Sequence, residues 1–131
     1  LVEGDTKLEE QGEIIAPIAR DVDSIITRRV HKSGKYAHTS YRLVADYGRV
    51  KLVDINLHTG RTHQIRVHMA SIGHPLLGDT VYGSSRNPYH LEGQALHAMI
   101  LGFVHPRTGE YMEFTAPLPE YFVKLLIKLR K

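Results

Sequence analysis

Two stretches of strict alternation, facing each other across Tyr47-Gly48, limit what this chain can fold into more than any other feature. In residues 37–46, Ala37, Thr39, Tyr41, Leu43 and Ala45 fall on one face, with His38, Ser40, Arg42 and Asp46 mostly on the other. In residues 49–58, Val53, Ile55 and Leu57 share a face. Strand side chains alternate sides, so both stretches read as strands with one apolar face. Gly48 supplies the positive φ that a tight connection needs, and the pair predicts an antiparallel hairpin. Its apolar face requires a covering layer.

Residues 62–72 offer that layer. Ile65, Met69 and Ile72 recur at helical spacing, Thr62 is placed to cap the N-terminus, and Gly73 supplies a left-handed residue past the end, with Pro75 as a stop. Residues 76–88 then form a turn-rich connection holding Gly78-Asp79 and Tyr82-Gly83. Further on, residues 95–104 (ALHAMILGFV) are apolar on both faces and predict a central strand covered on both sides. After a turn at His105-Pro106-Arg107-Thr108-Gly109, residues 110–116 alternate, with Met112, Phe114 and Ala116 expected inward. Pro119 fits the first position of a closing helix over 120–129. Its apolar side is Tyr121, Phe122, Leu125, Leu126 and Leu129, and Lys124, Lys128, Arg130 and Lys131 gather near its C-terminal end.

Upstream, Leu1-Val2 reads as a strand end closed by Glu3-Gly4-Asp5, residues 6–12 as a polar loop, and residues 13–18 as a short β-rich run whose Pro17 argues for an edge position or an early stop. Residues 20–35 are polar and basic, with Arg28, Arg29, His31, Lys32 and Lys35 around a Ser33-Gly34 turn. This segment is either a solvated loop or a contact for a phosphate backbone. The order of elements predicts a single α+β domain, with a mostly antiparallel mixed sheet, two hairpins and two helices.

At 131 residues, 42% hydrophobic and 24% charged, the chain is one globular domain rather than a disordered one. A net charge of +3 fits a polyanionic partner without demanding one. The absence of cysteine excludes disulfides and thiolate zinc sites and points to a reducing, cytoplasmic setting. No stretch has the length of a membrane span. The chain opens LVEGD, without methionine and with strand-like residues first, which suggests a fragment.

Nine histidines raise the question of metal. His63 and His68 are five apart, about 140° around a helix at 3.6 residues per turn, and so lack the i, i+4 spacing of paired ligands. A site from distant histidines such as His58, His74 or His97 remains open. No G-x-S-x-G elbow and no phosphate-loop lysine are present. Arg66, next to the buried stripe of the helix, needs an anion: a carboxylate from another segment or a phosphate. The alternative is a surface arginine resting its stem on the core. Arg61 suits a phosphate or a structural hydrogen bond, and Asp79 suits a turn or cap better than a catalytic acid.

Residues 60–68 (GRTHQIRVH), then Gly73-His74-Pro75, Gly78-Asp79 and Tyr82-Gly83, together resemble the signature of RNA pseudouridine synthases of the ribosomal-large-subunit (RluA) type. Gly34-Lys35, Leu96-His97-Ala98, His105-Pro106, Thr108-Gly109-Glu110 and Ala116-Pro117-Leu118-Pro119 agree in order, so the resemblance spans essentially the whole chain. It implies an isomerase that converts uridine to pseudouridine in ribosomal or transfer RNA, without cofactor or metal. It implies that Arg66 pairs with a catalytic aspartate, and that Arg61, His63, Arg28, Arg29, Lys32 and Lys35 meet RNA. Gly60, Gln64, His68, Gly73, Pro75, Gly78, Asp79, Tyr82 and Gly83 would then form the structural motif.

The family's catalytic aspartate sits in an H-R-L-D-x-x-T-S-G segment, and no such segment occurs in this sequence. The expectation is therefore the C-terminal portion of a catalytic domain, inactive alone, with Arg66 deprived of its partner. The alternative is an RNA-binding module without catalysis. Loss of upstream strands would expose sheet edge and favour self-association.

Overall fold

The computed structural model describes residues 1–4, 6–20, 27–84 and 86–130. Asp5 of the expected turn, residues 21–26 of the basic segment and Lys131 of the closing helix lie outside the described residues. In chain order the elements are β1 (Val2–Glu3), β2 (Gln11–Ile15), β3 (Ile18–Arg20), β4 (Arg28–Val30), β5 (His38–Asp46), β6 (Val50–Leu57), α1 (Gln64–Ser71), β7 (Ile100–Val104), β8 (Tyr111–Thr115) and α2 (Glu120–Leu129). They divide between two compact units, Leu1–Ala95 and Leu96–Lys131. Every strand pair is antiparallel and the class is α+β, as expected.

In the first unit, β5 and β6 form the expected hairpin, pairing Thr39 with Leu57 and Tyr41 with Ile55, and Gly48 turns it at φ 95°. The sheet runs β1-β6-β5-β2. Tyr41, Leu43, Val53 and Ile55 pack against a buried cluster of Val2, Leu8, Ile14, Met69 and Leu76. Leu57 was expected on this face but is 47% exposed. The cover at that end lies over its partner Thr39, whose hydroxyl is taken by α1.

Two upstream expectations are corrected. Residues 6–12 are not simply a polar loop: Leu8 is buried, and Gln11 begins β2, the sheet edge beside β5. One apolar residue among polar ones hides a strand period. Pro17 then separates β2 from β3. The basic segment is also more than a loop, because β3 and β4 pair with Arg20 opposite Arg28. Main-chain pairing is indifferent to side-chain charge, so a basic strand looks like a solvated loop in sequence. The reversal at His31–Gly34 closes through the Gly34 N–H to the His31 carbonyl at 2.9 Å. A Cβ on Gly34 would overlap the backbone of Ile18, so the ribbon's tip fits against β3 only with glycine there.

Helix α1 begins one residue later than a Thr62 cap would set it, and Thr62 does not cap it. His63 is the N-cap, at φ 57° and ψ 23°, with no side-chain cap. Its C-terminus follows the expectation: Gly73 at φ 85° donates to the Ala70 carbonyl at 3.0 Å, and His74 to the Met69 carbonyl at 2.9 Å. That is the Schellman closure.

The helix docks through a polar chain as well as through Met69. Gln64 Nε2 donates to the His38 carbonyl (3.0 Å) and to Thr39 Oγ1 (2.8 Å), while its Oε1 accepts from the Thr59 hydroxyl (2.7 Å) and the Arg61 N–H (2.9 Å). Thr39 Oγ1, already an acceptor, passes its proton to His68 Nδ1 at 2.8 Å. His68 Nε2 then donates to the Ala16 carbonyl at 2.8 Å. Thr39, Gln64 and His68 are all buried, and the chain leaves none of these groups unpaired.

In the second unit, α2 lies where expected, with Phe122 and Leu125 buried, although Pro119 is its N-cap rather than its first helical residue. The expected central strand is overturned. All of β7 is exposed, with Ile100 at 63%, and β8 is its only strand partner among the described residues. Phe114 is 51% exposed, and Ala116 is exposed too, so neither points into a core. Apolar residues on both faces of a strand state a need for cover; they do not supply it.

Removing the His68 ring leaves the Thr39 hydroxyl and the Ala16 carbonyl unpaired around a cavity. We expect His68→Ala to cost about 3 kcal/mol in urea unfolding. Ile100→Thr on the exposed β7 should change it by less than about 0.5 kcal/mol.

Candidate functional site

Behind α1, Arg66 extends to the turn that contains Asp79. Its Nε donates to Asp79 Oδ2 at 2.8 Å and its Nη2 to Oδ1 at 3.0 Å, a bidentate pair. The Asp79 side chain is fully buried, and Arg66 is 15% exposed. Oδ1 also accepts the N–H groups of Val81 (3.1 Å) and Tyr82 (3.2 Å), so Asp79 is the turn residue its context suggested. Burial pushes the Asp79 carboxyl up. The Arg66 hydrogen bond, the two N–H groups and the Arg66 charge outweigh it and hold the group below its ordinary value. The arginine, expected to lack a carboxylate, has one within the chain.

The same turn places the Tyr82 ring under the guanidinium, 4.9 Å from Arg66 Cζ to the ring centroid. The Tyr82 hydroxyl accepts the Arg28 N–H of β4 at 2.9 Å and lies 2.7 Å from His63 Nδ1, to which it is hydrogen-bonded. Burial first, then the charges of Arg66 and Arg28, push the His63 pKa down, which favours the neutral ring. The left-handed backbone of His63 costs roughly 1 kcal/mol or more. The bond to Tyr82 is what its ring gains there.

Residues of β3 and β4, the ribbon tip and the loop into α1 enclose a hollow of about 420 Å³. Arg20, Arg28, Lys35 and Arg61 line it, with Gly60 and Thr62 at the start of the loop into α1. Arg61 is steadied by an Nε bond to the Tyr36 carbonyl at 2.7 Å. Four cations around one hollow make a place for an anion.

Of the expected contact residues, Arg28, Lys35 and Arg61 line this hollow, whereas Arg29, Lys32 and His63 do not. Lys32 is exposed at the ribbon tip. Arg29 Nε is buried without a hydrogen-bond partner among the described residues. Arg20 was not anticipated; the signal available was its place opposite Arg28 once β3 is recognised as a strand. Among the motif residues, Gly78 has φ 84° and Gly83 donates to the Asp79 carbonyl at 3.0 Å, within the turn that presents Asp79 and Tyr82. Pro75 accepts the Glu3 N–H at 2.9 Å, tying β1 to the end of α1.

His58, His74 and His97 do not form a ligand set. His74 is buried between the Glu3 carbonyl and the Thr6 hydroxyl, each at 3.2 Å, and His97 Nε2 bonds the Ala116 carbonyl at 3.3 Å. Of the three, His58 alone has potential metal ligands beside it among the described residues. No helix among the described residues is long and apolar enough to cross a membrane.

Comparison with known proteins bears on what such a site serves. The family described as RNA pseudouridylate synthase matches residues 1–71. An RNA pseudouridine synthase of Chloroflexus aurantiacus is 51% identical over 110 residues, covering 84% of this chain and 35% of its own. Ribosomal large subunit pseudouridine synthase D of Haemophilus influenzae is 44% identical over 131 aligned residues, covering 91% of this chain and 40% of its own. The chain thus spans well under half the length of these relatives. Human RNA Pseudouridylate Synthase Domain Containing 1 superposes with a TM-score of 0.73 at 27% identity, over 98% of this chain and 62% of that one.

The depressed carboxyl of Asp79 and the depressed imidazoles of His63, His68 and His74, all lowered chiefly by burial in the histidines' case, act in one direction. The unfolded chain binds more protons, so stability falls as pH drops below the ordinary histidine value of 6.5, and again as it drops below 3.8. Urea midpoints measured from pH 7.5 downward should decline in both ranges. Asp79→Asn should remove the lower step and cost about 3 kcal/mol at neutral pH, because Arg66 is left without its carboxylate.

Proposed function

The chain belongs to the RNA pseudouridylate synthase family, and we propose that it is the RNA-gripping, C-terminal part of a catalytic domain whose parent protein isomerises uridine to pseudouridine. The observation that carries this reading is the hollow ringed by Arg20, Arg28, Lys35 and Arg61. Arg28 is shared: it is among the residues that line the hollow, and its main-chain N–H holds Tyr82 under Arg66.

The reaction breaks the bond from ribose C1′ to uracil N1, turns the base and forms a bond from C1′ to C5. The C5 proton is released and N1 gains one, so no redox partner is needed. The chemistry requires a carboxylate aimed at the nucleotide, and the base must leave the RNA stack first. Within this chain, phosphates would settle in the cationic hollow. Asp79 occupies the Nε–Nη2 edge of Arg66, which leaves Nη1 as the donor for a second anion, the aspartate that H-R-L-D would supply. Asp79 itself is buried and committed to Arg66 and two N–H groups, so it acts as a positioning residue. Lacking the second carboxylate, residues 1–131 grip RNA without turning it over.

Two measurements test this. A short uridine-containing single-stranded RNA should bind the chain with strong salt dependence. Arg61→Ala or Lys35→Ala should weaken binding about 3–10-fold and lower the salt slope by about one. Unchanged binding in both variants would remove the hollow from the interface. Tritium release from RNA carrying carbon-5-labelled uridine should stay at background; turnover at an enzyme-like rate would show that these residues suffice.

A further inference from the structure

On the outer face of the first unit's sheet, three neighbouring strands bring together one carboxylate and two imidazoles. Glu13 on β2 lies opposite Ser40, and His38 lies two residues before Ser40 on β5, so the three share a face. His58 follows β6 directly, and its N–H donates to the His38 carbonyl at 3.1 Å, which sets it beside His38. Glu13 Oε1 is 3.0 Å from His38 Nε2, and one ligand-capable atom from each of Glu13, His38 and His58 lies within 4.8 Å of the others. The two imidazoles stack at 4.0 Å between centroids, 17° apart.

We propose that Glu13, His38 and His58 form a binding site for a divalent transition-metal ion of the zinc class. The chemistry of the donors favours it: two imidazoles and one carboxylate, with a fourth position left to water, are a ligand set suited to Zn²⁺. Bond lengths of roughly 2.0–2.2 Å place tetrahedral donors about 3.3 Å apart, so the three must close in slightly. Parallel stacked rings do not aim at a common point, and one ring has to turn. His58 is the one able to do so: it is exposed, and turning it gives up an exposed bond between its Nε2 and the Ser40 hydroxyl at 3.0 Å. His38 is better fixed, with a side chain only 16% exposed and a backbone tied to Thr59 and Gln64. Glu13 is 61% exposed and reaches across from the sheet edge. An exposed Glu13–His38 ion pair alone contributes little and gives no reason for the second imidazole. Bound there, the ion would clamp the edge strand β2 to the hairpin. The site shares no residue with the basic hollow and does not depend on the chain's activity toward RNA.

The test uses the full chain, stripped with chelator and then dialysed against ZnSO₄, with bound metal counted by mass spectrometry and affinity measured by calorimetry. The expected result is one zinc per chain and a higher melting temperature with zinc than with chelator, since an ion that binds the folded state stabilises it. Glu13→Gln and His58→Ala should each weaken binding at least ten-fold while melting like the parent in chelator. His90→Asn, which alters an exposed histidine elsewhere and suits its left-handed backbone (φ 55°), should bind as the parent does. No stoichiometric zinc, or zinc retained with parental affinity in both site variants, would overturn the proposal.

Discussion

The position of α1 depends on one proton order. Gln64 donates to Thr39, Thr39 to His68, and His68 to the Ala16 carbonyl. Each donor has only one way to point, because the next acceptor is already defined. A buried polar chain of this kind is a poor source of net stability, since each bond replaces one with water. Its cost when misaligned is large, because any slip buries a donor without an acceptor. Apolar packing through Met69 and Val67 would tolerate a helix shifted by a fraction of a turn. The Gln64–Thr39–His68 chain would not.

That fixed docking makes two separate features of α1 usable. At its start, Gln64 Oε1 accepts the Arg61 N–H and the Thr59 hydroxyl, so the loop bearing Gly60 and Arg61 is held against β5 and the hollow keeps its rim. Two residues on, Arg66 leaves the helix on a different face and reaches Asp79. The sharp bend between loop and helix is concentrated at His63, whose left-handed backbone takes the place of a capping side chain. Tyr82 compensates by hydrogen-bonding the His63 ring while supporting the guanidinium from below.

Periodicity made the hairpin legible, and Gly73 with Pro75 marked the end of α1, because both are local effects. The extent of α2 was equally plain from its apolar stripe. What escaped was set by partners distant in the chain. Thr62 looked like a cap because Ser and Thr usually are, yet Gln64's side chain serves the loop instead and moves the helix start. β3 and β4 are short and basic, and pairing between them leaves no alternation to read. β7 misled in the opposite sense: its apolar residues announced a covered strand, and its side chains are exposed. At the site, the motif residues were legible as a group, but their division of labour was not. Nothing local tells that Asp79 belongs to Arg66, thirteen residues away.

The Arg66–Asp79 pair also changes what the arginine can do. A lone guanidinium on a helix has rotamers to lose before it can orient a ligand, and that ordering weakens whatever it binds. Arg66 has already lost them: two hydrogen bonds fix its plane, and the Tyr82 ring stacks beneath it. Asp79 partly offsets its charge, which lessens the pull on a second anion, but the geometry is set beforehand. Because Tyr82 is in turn held by the Arg28 main chain, Arg66 is linked through the Tyr82 ring to a residue of the hollow's wall. A second anion brought to Arg66 would therefore meet an arginine whose direction is already determined, and orientation at that point needs no further movement of α1.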